Sequence, residues 1–278
     1  MIAMPEQLDS LAVFVNSSDG FQDCWPPFFE LYRRYAGTLR NLPLYLNTER
    51  VRCTVGEPGA IATAVWPQTE GKRPTWSECL RRGLHCVRET YVLYLHEDYF
   101  LTRQVDDARI AAALEILRRD DSVGVIYLNQ YGPQFRRSRP HSSGVVEVCR
   151  PARYLASTQA AIWRKQFLVS LLRPWENGWT FEKCASLRIR RSSARILSVS
   201  PEVMACHPVI DYVYTGVMKG RWNPDCVPLF DEHGIPVDFA RRGFYCERGR
   251  WKSRLEVLGK IMASPQSALR SVVSLVRP

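Results

Sequence analysis

The chain has 278 residues, 46% hydrophobic and 11% aromatic, enough apolar material for one large core or two smaller ones. Its 38 Lys and Arg against 28 Asp and Glu leave a formal net charge of +10, which points to an anionic partner. The basic residues are dispersed and no groove-reading motif accompanies them, so nucleic acid is not the expected partner. No apolar run approaches the roughly 20 residues of a membrane helix, and the N-terminus lacks the basic region of a secretion signal. The nine cysteines show neither C-x-x-C pairs nor zinc-finger spacing, and are read as free thiols of a reducing, cytoplasmic setting.

In chain order, residues 11–15 (LAVFV) predict a short strand closed by the turn-forming Asn16-Ser17-Ser18-Asp19-Gly20. Trp25–Tyr35 predicts a helix with Pro26 and Pro27 in its first turn. Residues 44–46 (LYL) form a second strand, and 47–74 read as irregular with one strand through 60–65. Residues 76–88 carry apolar side chains at helical spacing behind Thr75, a predicted N-cap. A buried strand at 91–95, a helix over 105–119 with acids first and arginines last, and a strand at 123–128 follow. Beyond a basic loop at 134–144, two strand-like runs (145–149 and 153–157) precede a helix predicted over 159–172 and a β-prone run at 196–199. This alternation predicts an α/β fold with a covered, mainly parallel sheet. We expect one domain over 1–245 and a basic amphipathic segment over 246–278, suited to packing on the domain or to an anionic membrane surface.

The stretch YVLYLHEDYFL, 91–101, concentrates the chemistry. A strand apolar on every residue belongs inside a sheet, and ligands of open α/β sheets collect at the carboxyl ends of the strands. Glu97 and Asp98 fall at such an end. One or two carboxylates plus substrate phosphate oxygens hold a hard divalent cation, a role that suits Asp98; the plain alternative is capping a turn. Three basic clusters are candidates to neutralise a phosphate: Lys72-Arg73, Arg136-Arg137-Arg139 and Arg188-Arg190-Arg191.

The succession LAVFVNSSDGFQDCWPPFFELYRRY, LPLYLNTE, GKRPTWSECLRRGLHCVRETYVLYLHEDYFL and YLASTQAAIWRKQFLVSLLRPWENGWTFEKCAS resembles glycosyltransferases of GT-A fold, of the bacterial polysaccharide and lipopolysaccharide type, over residues 11–186. That resemblance implies a GT-A-like, Rossmann-like sheet flanked by helices, with a C-terminal helical segment. It places Ser17, Ser18 and Asp19 beside the base and ribose, and puts Lys72, Trp76, Glu97 and Asp98 with the nucleotide sugar. Asp98 falls at the last position of the Asp-x-Asp-type motif, with His96 where a carboxylate is usual, and Mn²⁺ or Mg²⁺ is the implied cofactor. His207 is a further candidate metal ligand. Glu182, after the Asn177-Gly178 turn, is implied as the base, desolvated by Trp179 and Phe181; Trp175 and Trp179 are assigned to a saccharide acceptor. The implied partners are a nucleoside-diphosphate sugar and a cell-surface glycan; the expected setting is the cytoplasm, with the inner face of the membrane as the place where the C-terminal segment would make contact. Two rivals are a sugar-phosphate nucleotidyltransferase, disfavoured by the single glycine in NSSDGFQD, and a non-enzymatic basic protein binding anionic lipid or nucleic acid.

Overall fold

The computed structural model describes residues 8–52, 59–129, 138–152 and 154–246. The expected tail lies outside them, apart from Cys246. Nine strands form one sheet: β1 (Leu11–Asn16), β2 (Leu44–Asn47), β3 (Ile61–Ala62), β4 (Tyr91–His96), β5 (Val123–Tyr127), β6 (Ser138–Ser142), β7 (Val145–Val148), β8 (Ala161–Arg164) and β9 (Arg195–Val199). Their order is β3-β2-β1-β4-β8-β5-β9-β7-β6. The sheet is mainly parallel, as predicted, with β8 and β7 antiparallel to their neighbours. A small hairpin, β10 (Val217–Met218) and β11 (Arg221–Trp222), stands apart.

Helices α1 (Trp25–Tyr35), α2 (Trp76–Cys86), α3 (Asp107–Arg119), α4 (Lys165–Leu171) and α5 (Gly178–Arg191) flank the sheet; α6 (Pro201–Cys206) and α7 (Cys226–Glu232) follow it. Local signals set their starts. Thr75 accepts from the Glu78 amide while Glu78 reaches back to the Thr75 amide, a full capping box for α2. Asp106 and Asn177 cap α3 and α5 by accepting from the amides of Arg109 and Thr180.

The pleat divides each apolar strand between two cores. Leu93 and Leu95 pack with Phe28 and Leu31 of α1 and with Leu114 of α3. Val92 and Tyr94 face the other way, with Leu84 of α2, Leu168 of α4 and Phe181 of α5. Each such side chain contributes about 1.5–3 kcal/mol on burial, which is why β4 has no polar residue before its end.

Two predictions need correction. The helix expected over 159–172 is instead strand β8 followed by α4. Ala161, Ile162 and Trp163 are buried and pair antiparallel with β4 on one side and β5 on the other. Two ladders and a closed gap in the sheet outweigh the helix propensity of a short Gln-Ala-Ala run. Residues 154–157 form no strand: the amides of Leu155 and Ala156 donate to Ser186 Oγ, and that of Ser157 to Tyr127 Oη. Among the described residues no helix is long and apolar enough to cross a membrane.

Candidate functional site

Strands β1, β2 and β4 end at one level, with Asn16 in register with both Asn47 and His96. These ends turn from apolar to polar together, and the amides are satisfied among themselves. Asn47 Nδ2 donates to Asn16 Oδ1 at 2.9 Å, and the Thr63 hydroxyl donates to Asn47 Oδ1 at 3.0 Å. Gly83 of α2 makes room for this pair, since a Cβ there would stand 2.2 Å from Asn47 Oδ1.

His96, Glu97 and Asp98 rise from this floor, with ligand-capable atoms all within 4.8 Å of one another. Glu97 is 5% and Asp98 9% exposed. Burial pushes the Asp98 carboxyl up to about 6, helped by the charge of Glu97 and opposed by His96 and the Val217 amide. That amide donates to Asp98 Oδ2 at 3.1 Å. For His96, burial acts downward, but Glu97, Asp98 and Glu182 outweigh it and raise the imidazole above its ordinary value. His96 Nε2 shares a 3.0 Å hydrogen bond with Tyr94 Oη, and Nδ1 lies 3.7 Å from Glu97 Oε2. Glu97 Oε2 is buried and has no hydrogen-bond partner among the described residues. An orphaned carboxylate oxygen beside a second carboxylate and an imidazole is a donor set that fits a divalent cation.

The loop after β1 is organised internally. The Asp19 carboxylate accepts from the amides of Glu49, Arg50 and Val51, while Glu49 accepts from the Asp19 amide and pairs with Arg73. Ser17 Oγ accepts from Trp25 Nε1 at 2.8 Å, and the Ser18 hydroxyl makes no cap bond. Asp19 therefore holds the loops after β1 and β2 together. Arg242, which the sequence did not single out, grips this loop from the far end of the chain through Asp23 and the Gly20 carbonyl.

Glu182, in the second turn of α5, reaches the same region. Its Oε1 accepts from the Thr158 amide at 2.8 Å, the Thr158 hydroxyl at 3.0 Å and the Ser157 hydroxyl at 3.3 Å; Oε2 takes none of these bonds. Tyr99 Oη donates to the Thr158 carbonyl at 3.0 Å, and the Tyr99 ring packs edge-on against His96 at 5.2 Å. Glu182 and the acid triplet are thus joined by one short chain of contacts. The predicted source of desolvation is different, however. Phe181 is buried against Trp76, with ring centroids 5.5 Å apart, whereas Trp179 is 77% exposed and covers nothing.

The remaining candidates are scattered. Trp76 is half-buried in the α2–α5 contact, Trp175 is half-buried, and Lys72 is exposed. His207 is exposed at the end of α6 and is not a member of the metal-capable group. Four described arginines of the basic clusters have structural partners: Arg73 holds Glu49, Arg139 pairs with Glu147, Arg188 makes a bidentate pair with fully buried Glu176, and Arg190 bonds the Arg150 and Ala152 carbonyls; Arg191 is exposed at the end of α5. Arg136 and Arg137 lie outside the described residues. Tyr99 and Thr158 were not legible as site residues, because what joins them to His96 and Glu182 is contact between segments distant in sequence.

No protein-family model matches the chain, and no curated protein matches it. Among solved structures, it is similar to residues 1–349 of S. aureus TarS, at 12% identity and a TM-score of 0.43, covering 69% of this chain and 58% of that one. It is also similar to Mycobacterium tuberculosis glucosyl-3-phosphoglycerate synthase in complex with Mn²⁺ and UDP-glucose (11%, 0.44, 87% and 82%). A third likeness is to CMP:2-keto-3-deoxy-manno-octonic acid synthetase complexed with CTP (14%, 0.42, 81% and 98%). The chain spans just over half of the TarS fragment. The fold is α/β, with buried acids directly after β4, one of its central strands. At these identities and scores the likenesses carry nothing about what this chain binds or does.

Proposed function

We propose that the chain is a glycosyltransferase that moves a sugar from a nucleoside-diphosphate donor to a hydroxyl of a saccharide acceptor. One observation carries this reading: the loop after β1, the buried triplet His96-Glu97-Asp98 and the Glu182 carboxylate converge at one edge of the sheet, through Tyr99 and Thr158. Ser17 and Ser18 then line the nucleoside end, with Asp19 shaping the loop. Asp98, Glu97 and His96 would hold a divalent cation, which when bound supplies positive charge to diphosphate oxygens.

The acceptor hydroxyl gives its proton to Glu182 as its oxygen attacks the anomeric carbon, the bond from that carbon to the diphosphate oxygen breaks, and the nucleoside diphosphate leaves. Three donors on Oε1 orient the carboxylate and leave Oε2 for that proton. This chemistry inverts the anomeric centre.

Calorimetric titration with UDP, GDP, CMP and dTDP, each with and without Mn²⁺, tests the reading. One nucleotide is expected to bind with the metal, and Asp98→Asn to abolish that binding. Glu182→Gln should bind the donor normally and transfer about 10²–10⁴-fold more slowly. If no nucleotide binds under either condition, the proposal fails.

A further inference from the structure

Arg242 reaches the loop after β1 from near the end of the described chain, and the mechanism above gives it no part. Its Nε donates to Asp23 Oδ2 at 2.6 Å, and its Nη2 donates to Asp23 Oδ1 at 2.5 Å and to the Gly20 carbonyl at 2.6 Å. We propose that Arg242 is the positioning residue of this loop, a latch that holds residues 17–24 in the one conformation that receives a ligand beside His96-Glu97-Asp98. That the ligand is a nucleotide rests on the glycosyltransferase reading; the latch itself does not.

This pair differs from a surface ion pair. The two side chains are only 10% and 12% exposed, so little water competes for the bonds, and a guanidinium fork on a carboxylate fixes orientation as well as distance. The further bond to Gly20 holds the main chain of the loop, not only a side chain. Between these two anchors Phe21 interrupts the helical turn of residues 19–24, at φ −115° and ψ 22°. Arg242 spans that break, with its guanidinium carbon 4.6 Å from the centre of the Phe21 ring.

Arg242 is itself fixed by what surrounds it. Residues 239–241 form a single helical turn capped by Asp238, whose carboxylate accepts from the Ala240 amide at 3.0 Å. Gly243 ends that turn at φ 62°, with its amide on the Phe239 carbonyl at 2.8 Å. The Gly243 carbonyl accepts from the Trp222 amide at 3.0 Å, and the Trp222 carbonyl from the Tyr245 amide at 2.8 Å. Trp222 is fully buried and pairs across the β10–β11 hairpin with Val217, whose amide is the one on Asp98 Oδ2. One bonded strut therefore runs from Asp98 through Val217, Trp222 and Gly243 to Arg242. The latch ties the loop to the same frame that holds Asp98.

Hydrogen–deuterium exchange read by mass spectrometry, with calorimetry of UDP, GDP, CMP and dTDP and of Mn²⁺ alone, tests the latch on the full chain. Arg242→Gln is expected to raise exchange over residues 17–24 while β1 and β4 stay protected. A loop that visits its binding conformation about a tenth of the time binds about tenfold more weakly, and that loss is expected for the nucleotide. Mn²⁺ alone should bind as in the wild type, because Val217 still holds Asp98. Arg242→Lys keeps the charge without the fork and should fall between the two in exchange and in nucleotide affinity. The proposal is overturned if Arg242→Gln leaves exchange over 17–24 unchanged, if it binds nucleotide as the wild type does, or if protection of β1 and β4 or Mn²⁺ affinity falls along with the nucleotide affinity. A wild type that binds no nucleoside diphosphate removes the transferase reading. The latch is then decided by exchange: it stands if Arg242→Gln loosens residues 17–24 alone and falls if it does not.

Discussion

His96 stands where a carboxylate is usual in the motif the sequence resembles, and its surroundings say what the exchange does. An imidazole among oxygen ligands favours Mn²⁺ over Mg²⁺, because Mg²⁺ prefers an all-oxygen shell. Electron paramagnetic resonance of Mn²⁺, with Mg²⁺ as competitor, should show Mn²⁺ binding that His96→Asp shifts towards Mg²⁺. Equal competition before and after the substitution would remove His96 from the ligand set. At the same scale, Asp19 has a structural part in its loop. Its carboxylate is occupied by three backbone amides, so Asp19→Ala should loosen the loops after β1 and β2 and weaken nucleotide binding through loop disorder.

Among the elements, α2 is held against β2 at one point of close approach. Gly83 costs about 1 kcal/mol of helix propensity relative to Ala, yet a methyl there would meet Asn47 Oδ1 at 2.2 Å and Phe14 Cζ at 3.0 Å. Gly83→Ala is therefore expected to destabilise by about 1–3 kcal/mol in urea titration, against the sign of its propensity. The far edge of the sheet is tied by Arg195 of β9, which pairs with Glu147 of β7 and with Asp120 ahead of β5. A Ser122 hydrogen bond, then Arg195, lowers the Asp120 carboxyl. Burial opposes the same effect at Glu147, where Arg195 and Arg139 prevail and lower it. Lowered folded values mean stability that is present above the unfolded carboxylate range near 4 and is lost as pH falls through the folded values. Arg195→Met should cost about 1 kcal/mol at pH 7, and melts should show the gap to the wild type closing towards pH 3.

For the whole molecule, the site is an assembly of distant segments. Residues 16–19, 96–99, 157–158, 182 and 216–217 meet because β1, β4 and β8 are sheet neighbours and the loop ahead of β10 closes on Asp98. A ligand that binds this assembly and not the unfolded chain stabilises the whole fold. At a hundredfold excess over its dissociation constant the gain is about 2.7 kcal/mol. A thermal shift with one nucleoside diphosphate plus Mn²⁺, absent in Asp98→Asn, is the expected result; no shift with any nucleotide would count against the site.

The sequence by itself determined the local pieces: the apolar runs that become β1, β4 and β5, the N-cap at Thr75, and acids at the end of a buried strand. These follow from periodicity and hydrogen-bonding chemistry within a few residues, where neighbours in sequence are neighbours in space. What only the tertiary structure decided was long-range. β8 is a strand because a gap between β4 and β5 had to be filled. Arg73, Arg139, Arg188 and Arg190 of the basic clusters hold carboxylates or backbone carbonyls, because a carboxylate such as Glu176, once buried, must be paired. The Val217 amide reaches Asp98 because Asn223 and the Asp98 carbonyl hold its loop. Two acids at the end of YVLYL named a place for a ligand; the Tyr99–Thr158–Glu182 chain, set by packing across the sheet, gave that place its third carboxylate.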